Sequence, residues 1–312
     1  MAYNHKVELS KPERFVGGHR LCAGCGAGLV CRGMMRALDE GDKAVICNAT
    51  SCLEVSSFLY PFTAWEDSYT AWKDSFIHNA FENAGATISG VETAYRAMKK
   101  RGKLDETWKF IAFGGDGGTY DIGFQSLSGA MERGHDMVYF CYDNEAYMNT
   151  GVQKSGLTPY GMKTTNTPSG KNFHGSQSSK KRMFEIVAAH GIPYAATASL
   201  GYPEDFMAKV EKAMNTDGTS YIHVMAPCPT GWGTPTDVTI DIGKEAVDCG
   251  LWYLAEYENG KFKINRDPKE FTSVEDYLKK QSRFANFDAH DFERVIAERD
   301  ATWNRIRNDW NK

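Results

Sequence analysis

The stretch FGGDGGTYDIGFQ, residues 113–125, restricts the possible folds of this chain more than any other. It is entered from WKFIAFGG (108–115), an apolar run of strand length. It opens into DIGFQSLSGAMERG (121–134), whose spacing predicts a helix ending at Gly134. A buried strand that turns through glycines into a helix is a junction of a parallel α/β sheet. Glycines at such a turn let the backbone approach a ligand closely, and a helix N-terminus favours phosphate. The centre of the turn is Asp116, so the pattern is not the GxGxxG of a dinucleotide loop. A carboxylate beside a pyrophosphate calls for a cation between them. Magnesium meets that need, because it takes its oxygens from one or two protein groups and from phosphates.

A second oxygen donor is then expected at the end of the next strand. DMVYFCYDN (136–144) reads as that strand, and it delivers YDNEAYMNTG (142–151), in which Asn144 lies 28 residues after Asp116. Adjacent parallel strands would bring both side chains to one edge of the sheet, where open α/β folds bind ligands.

The same alternation runs along most of the chain. KAVICNAT (43–50), PYAATAS (193–199) and SYIHVMAP (220–227) read as strands. FENAGATISGVETAYRAMKKRG (81–102), KKRMFEIVAAHG (180–191) and YPEDFMAKVEKAM (202–214) read as helices, the first stopped by Gly102 behind Lys99, Lys100 and Arg101. The expected fold class is α/β, a mostly parallel sheet with helices on both faces, plus a C-terminal extension. Residues 1–232 would form the ligand-binding domain and 233–312 the extension, which could wrap a partner subunit or simply close the domain. Within the extension, LWYLAEYENGKFKI (251–264) predicts a hairpin turning at Asn259-Gly260. Thr272 and Glu275 make a capping box, and a charged helix spans about 288–309. Residues 151–179 carry little periodicity and read as a long loop of the functional kind.

Composition narrows the function classes. The 36 basic and 40 acidic residues leave a net charge of −4, which argues against nucleic-acid binding. No apolar run reaches the 18 residues of a membrane span, and the N-terminus MAYNHKVELSKPERF is too polar for a signal peptide. A cytoplasmic protein is expected. Eight cysteines in such a chain are metal ligands, catalytic groups or buried thiols rather than a disulfide framework. Cys31, Cys141 and Cys249 fall in apolar patterns and read as buried thiols. Cys22 and Cys25 form a CxxC pair, Cys47 and Cys52 flank NATS, and Cys228 lies in APCPTGWG. A CxxC with two distant cysteines suits Cys₄ zinc and a [4Fe–4S] cluster equally.

The segments CAGCG (22–26), NATSC (48–52), FENAGA (81–86), GGDGGTYDIG (114–123), YDNEAYMNTG and AAHGIPY (188–194), in this order, resemble the β subunits of the 2-oxoacid:ferredoxin oxidoreductases, most closely the pyruvate type. The resemblance runs from about residue 18 to residue 232. It implies a thiamine diphosphate-binding fold and a subunit active only with α and γ- or δ-type partner chains. The implied reaction is oxidative decarboxylation of a 2-oxoacid, with pyruvate the default and acetyl-coenzyme A the product. Electrons would pass through a [4Fe–4S] cluster to ferredoxin. Oxalate and phenylglyoxylate enzymes share nearly the same pattern. A zinc-containing decarboxylase or synthase, and an iron–sulfur carrier without thiamine, are the readings of other classes.

Carried over residue by residue, the resemblance makes Cys22, Cys25, Cys52 and Cys228 the cluster ligands, with Cys47 the near alternative to Cys52. Asp116, the Asn144 side chain and the Ala146 carbonyl would hold magnesium. Gly115, Gly117, Gly118, Asn144, Ala146, Tyr147, Met148, Asn149 and Cys52 would line the cofactor, with Asn149 nearest the catalytic role. The glutamate that activates thiamine is expected from the partner α chain. Some relatives carry a glutamate directly after CxGCG, where this chain has Ala27. His78 reads as a structural histidine, and Lys154, Lys163 and Lys171 could attract the phosphates of coenzyme A.

Overall fold

Five of the apolar runs and one further strand form the parallel part of one eight-stranded sheet in the computed structural model, which describes residues 10–39, 41–58, 74–171 and 173–310. The chain runs through helix α1 (Gly26–Arg36), strand β1 (Lys43–Ala49), helix α2 (Cys52–Ser57), strand β2 (Ser75–Asn79) and helix α3 (Ala84–Lys100). Strand β3 (Trp108–Gly115), helices α4 (Asp116–Tyr120) and α5 (Phe124–Glu132), and strand β4 (Met137–Asp143) follow. The two-residue strands β5 (Ser169–Gly170) and β6 (Phe173–His174) lie within the long loop. Helix α6 (Met183–Ala188), strand β7 (Tyr194–Ser199), helix α7 (Pro203–Met214) and strand β8 (Thr219–Met225) complete the alternation. Then come α8 (Pro229–Trp232), α9 (Thr239–Asp248), the hairpin β9 (Ala255–Glu258) and β10 (Lys261–Ile264), α10 (Val274–Lys279) and α11 (Ala289–Trp310).

The strand order is β10-β9-β7-β8-β4-β3-β1-β2, parallel from β7 to β2, with β9 antiparallel to β7 and β10 antiparallel to β9. The central strands are apolar throughout because both faces are covered. Ile111, Phe113, Val138 and Phe140 pack with Val30 and Met34 of α1 and with Phe206 and Val210 of α7. The alternate residues Phe110, Ala112, Met137 and Tyr139 pack with Ile88 of α3, Leu127 of α5, Phe184 of α6 and Trp303 of α11. Each such fully buried side chain contributes ~1.5–3 kcal/mol. A third cluster, built on Trp232, Val247, Trp252 and Leu278, joins the C-terminal helices to the sheet edge.

Several expectations need correction. The helix predicted over 121–134 is two helices. One starts at Asp116 itself, and the break at 121–123 lets Gly123 lie against the Gly118 carbonyl, where an added Cβ would come within 1.8 Å. The helix predicted over 180–191 is shorter, 183–188. Strand β2 was not anticipated, because its half-exposed edge lacks a continuous apolar run. The hairpin turns at Asn259-Gly260 as expected, both residues at positive φ, but it completes the main sheet as an antiparallel edge. A division at 232/233 therefore cuts through that sheet. The cap of α10 is Ser273, whose hydroxyl accepts from the Asp276 N–H at 3.0 Å, one residue later than the Thr272–Glu275 box. Among the described residues, no helix is long and apolar enough to cross a membrane.

Candidate active site

The chain places β2 on one side of β1 and β3 on the other, so the strand order reverses between β1 and β3. Open α/β sheets bind ligands at such a point, beyond the carboxyl ends of the strands. Four neighbouring strands deliver the candidate residues there. Ser51 and Cys52 follow β1, Asp116 follows β3, Asn144 follows β4, and Cys228 follows β8.

Asp116 is 1% exposed, and the Ser155 hydroxyl donates to its Oδ2. Burial, and then the neighbouring Asp143, push the Asp116 carboxyl well above its usual range, against the Ser155 hydrogen bond. Among the described residues, no cationic side chain pairs with this carboxylate. The Asn144 side chain sets one terminal atom 2.8 Å from the Ala146 carbonyl oxygen and 3.1 Å from Asp116 Oδ1. As the amide nitrogen that atom donates to both. As the amide oxygen it completes a set of three acceptors that only a cation can hold together. Neighbouring ligands of an octahedral magnesium, at ~2.1 Å from the metal, stand about 3.0 Å apart. The residues fit that ion.

Beside this oxygen set lies a recess of about 300 Å³. Gly115, Asp116, Gly117, Gly118, Asn144, Ala146, Tyr147, Met148, Asn149 and Cys52, all expected from the sequence, line it together with Thr50, Ser51 and Phe81. A Cβ on Gly117 would sit 2.2 Å from the Tyr147 ring, whose hydroxyl donates to the Gly117 carbonyl at 3.1 Å. The glycine turn is thus closed on one side by protein and open on the other, the cradle a diphosphate requires. Asn149 is exposed at the rim.

The cysteines separate into two groups. Cys47 is fully buried on the face packed against α3 and α5, and burial pushes its thiol up to about 12. Cys31, Cys141 and Cys249 are buried as expected. Cys22, Cys25, Cys52 and Cys228 gather at the sheet edge. Burial, and then Cys25, Cys228 and Cys22, push the Cys52 thiol up to about 12. Burial is the largest influence on Cys25 too, which stands at about 11 with Cys228 and Cys22 adding to it. Close backbone contact makes this meeting possible. The Gly26 N–H donates to the Pro227 carbonyl at 3.1 Å, and a Cβ on Gly26 would lie 2.7 Å from Ala226. Gly24 takes φ +70°, with Thr236 backbone where its Cβ would be. Among the described residues, only His174, Asp288 and Asp291 bring three possible ligand atoms within 4.8 Å of one another, so no three of the thiols are that close. Mononuclear zinc, with Zn–S bonds of ~2.3 Å, needs sulfurs about 3.8 Å apart.

Other groups here were invisible in the sequence. Ser155 comes from the long loop, whose start is buried under the site. Glu145 is 4% exposed and ion-paired to Lys180 and to Arg283. Burial opposes its ionisation, but Arg283 and then Lys180 outweigh that and hold the carboxyl below its usual range. The Tyr142 hydroxyl accepts from the Leu53 N–H at 3.2 Å, beside both Cys52 and Gly115. No local pattern announces these long-range pairs. His78 meets Glu54 and stacks on Phe58. Lys154 is half-buried, whereas Lys163 and Lys171 are exposed.

Residues 51–224 match the family described as thiamine pyrophosphate enzyme, C-terminal TPP binding domain. The pyruvate synthase subunit PorB of Methanocaldococcus jannaschii is 50% identical over 291 residues, covering 93% of this chain and 95% of that one. The corresponding subunit of Thermotoga maritima is 54% identical over 270 residues, with 86% and 81% covered. The ketoisovalerate oxidoreductase subunit VorB of Pyrococcus furiosus is 44% identical over 304 residues, with 97% and 95% covered. A solved 2-oxoglutarate:ferredoxin oxidoreductase from Magnetococcus marinus shares the fold, with a TM-score of 0.59 at 18% identity over 95% of this chain and 98% of that chain.

Proposed function

Because this chain belongs to the β-type subunits of the thiamine pyrophosphate-dependent 2-oxoacid oxidoreductases, we propose that it binds magnesium–thiamine diphosphate and a [4Fe–4S] cluster and serves the oxidative decarboxylation of pyruvate. The observation that carries this reading is the meeting of Asp116, Asn144 and Ala146 oxygens, 2.8 and 3.1 Å apart, at the point where the strand order reverses. When bound, thiamine diphosphate supplies carbanion chemistry at a ketone, and the cluster supplies one-electron transfer.

The chain's own residues bind and orient. Asp116, the Asn144 amide oxygen and the Ala146 carbonyl would hold the metal. The backbone of Gly115–Gly118 would face the diphosphate, and Tyr147 and Asn149 would border the reacting end. Cys22, Cys25, Cys52 and Cys228 would hold the cluster, and Cys52 also lines the cofactor recess, so the two groups would share a wall. Pyruvate is favoured over a branched 2-oxoacid by the 50% and 54% identity to pyruvate synthase subunits, against 44% to the ketoisovalerate subunit. The reading includes partner α and γ- or δ-type subunits, coenzyme A as acyl acceptor, ferredoxin as electron acceptor, and a cytoplasmic location.

The test is anaerobic purification with the partner subunits, assay of iron, zinc and thiamine, and reduction of a viologen dye by a panel of 2-oxoacids with and without coenzyme A. Iron, thiamine and coenzyme A-dependent reduction by pyruvate are expected. A preparation holding both groups that no 2-oxoacid reduces would refute the proposal. Asp116→Ala should abolish thiamine retention and leave iron in place.

A further inference from the structure

Glu145 stands between Asn144 and Ala146 and turns away from both. Its neighbours line the cofactor recess, whereas Glu145 lines a separate cavity of about 220 Å³ under the C-terminal helices, together with Lys180 and Arg283. Its backbone takes φ +69°, a conformation that residues with a Cβ rarely adopt and that needs support from its surroundings. That support comes from several directions. The Glu145 N–H donates to Asp143 Oδ1 at 2.9 Å, and its carbonyl accepts from the Thr158 hydroxyl at 2.7 Å. Its carboxylate meets Lys180 Nζ and, at 2.5 Å, Arg283 Nη2.

Arg283 grips the loop twice. Its charge holds Glu145, and its guanidinium lies 3.7 Å from the ring centre of Trp232, whose indole N–H donates to the Asn144 carbonyl at 2.8 Å. Arg283 is 5% exposed, and its Nε donates to Gln281 Oε1 at 2.9 Å, so the guanidinium is held in one orientation. Three converging acceptor oxygens repel one another before a cation arrives. A loop free to relax would turn the Asn144 amide over or let Ala146 swing out.

We propose that Arg283 and Lys180, acting through Glu145, are positioning residues that keep the cation-binding oxygens of residues 144–146 converged. The C-terminal segment thereby sets the metal affinity of the site. The inference rests on reading that loop as a magnesium–diphosphate site. It assigns Arg283 no contact with the metal or the substrate.

The experiment uses the assembled complex, stripped of divalent metal and titrated with Mn²⁺ in the presence of thiamine diphosphate. Bound Mn²⁺ is followed by its electron paramagnetic resonance signal. Glu145→Gln and Arg283→Met should weaken Mn²⁺ binding about tenfold or more, the usual effect of removing a group that orients a metal ligand. Arg283→Lys should recover part of the loss, and iron content should stay unchanged. Lys180→Gln removes the more exposed partner and keeps the test open if Arg283→Met does not fold; it should weaken binding in the same direction. Asp116→Asn is the control for the site itself. If wild type takes up no Mn²⁺ with the cofactor, or Asp116→Asn binds it as well as wild type, the reading of the site fails. If Asp116→Asn loses Mn²⁺ while the Glu145, Arg283 and Lys180 variants that fold bind it as wild type does, the positioning role is overturned and the site stands.

Discussion

The indole N–H of Trp232 donates to the carbonyl oxygen of Asn144 at 2.8 Å. Trp232 ends the short helix that Cys228 caps through the Gly231 N–H, so one hydrogen bond ties the thiol set to the 144–146 loop. Trp232→Phe keeps most of the packing and removes the donor. A buried carbonyl left unpaired costs ~1–3 kcal/mol. A loss of that size in urea unfolding is expected, together with weaker thiamine diphosphate retention in equilibrium dialysis. Unchanged retention would separate the two sites.

The choice between Cys47 and Cys52 has a direct consequence. Cys47 sits in the core behind the sheet, and Cys52 lies with the other three thiols. Cys47→Ala should keep its full iron complement in a colorimetric assay, and Cys52→Ala should lose it. The opposite pattern would require β1 to be rotated by one residue.

Two glycines should respond to alanine in opposite senses. A Cβ on Gly123 would press to 1.8 Å from the Gly118 carbonyl and force the diphosphate turn open. Gly123→Ala should lower stability by ~1–3 kcal/mol, as overpacking does, and abolish cofactor binding. Gly90 lies on the exposed side of α3 with nothing within 4 Å of an added Cβ. Gly90→Ala should stabilise by ~0.5–1 kcal/mol, and thermal melts of the two variants distinguish the cases.

Glu256 supplies a pH dependence far from the site. Burial opposes its ionisation, but Asn265, Lys212 and Tyr194 outweigh it and bring the carboxyl from 4.5 down to about 2. A folded-state value below the unfolded one gives stability that is complete above about pH 4.5 and disappears as pH falls from there through 2. At 1.36 kcal/mol per unit, the contribution is on the order of 3 kcal/mol at most. Urea midpoints of wild type and Glu256→Gln should differ clearly at pH 7, draw together below pH 4.5 and converge near pH 2. A constant difference across that range would assign the effect to packing.

The strands of the parallel sheet are readable in the sequence because covering both faces demands unbroken apolar runs, as in WKFIAFGG and MVYFCYD. Asp116 and Asn144 are readable for a related reason: each ends such a run, and their strands are neighbours. Ser155, Glu145 and Arg283 are not readable. Arg283 and Glu145 are far apart in the sequence, and neither residue type nor spacing records such a contact. The cap of α10 shows a different limit. Thr272 and Ser273 both precede an acidic residue by three positions, and local sequence does not rank them. The hairpin's turn was legible in Asn259-Gly260, but its pairing with β7 depends on which sheet edge stands free.

The contacts that seat Cys22 and Cys25 come from more than 200 residues further along the chain. Gly26 is held by Pro227, and the Gly24 carbonyl accepts from the Thr239 hydroxyl at 2.6 Å, 215 residues onward. Asp116 and Asn144 meet after one strand–helix–strand unit. During synthesis the 144–146 loop can therefore meet Asp116 while much of the polypeptide is still to be made. The four thiols come together only after residues 227–239 have left the ribosome. For the proposed cluster, iron would then have to be delivered after residue 228 has been made, and a chain truncated before it would offer Cys22, Cys25 and Cys52 without the fourth thiol.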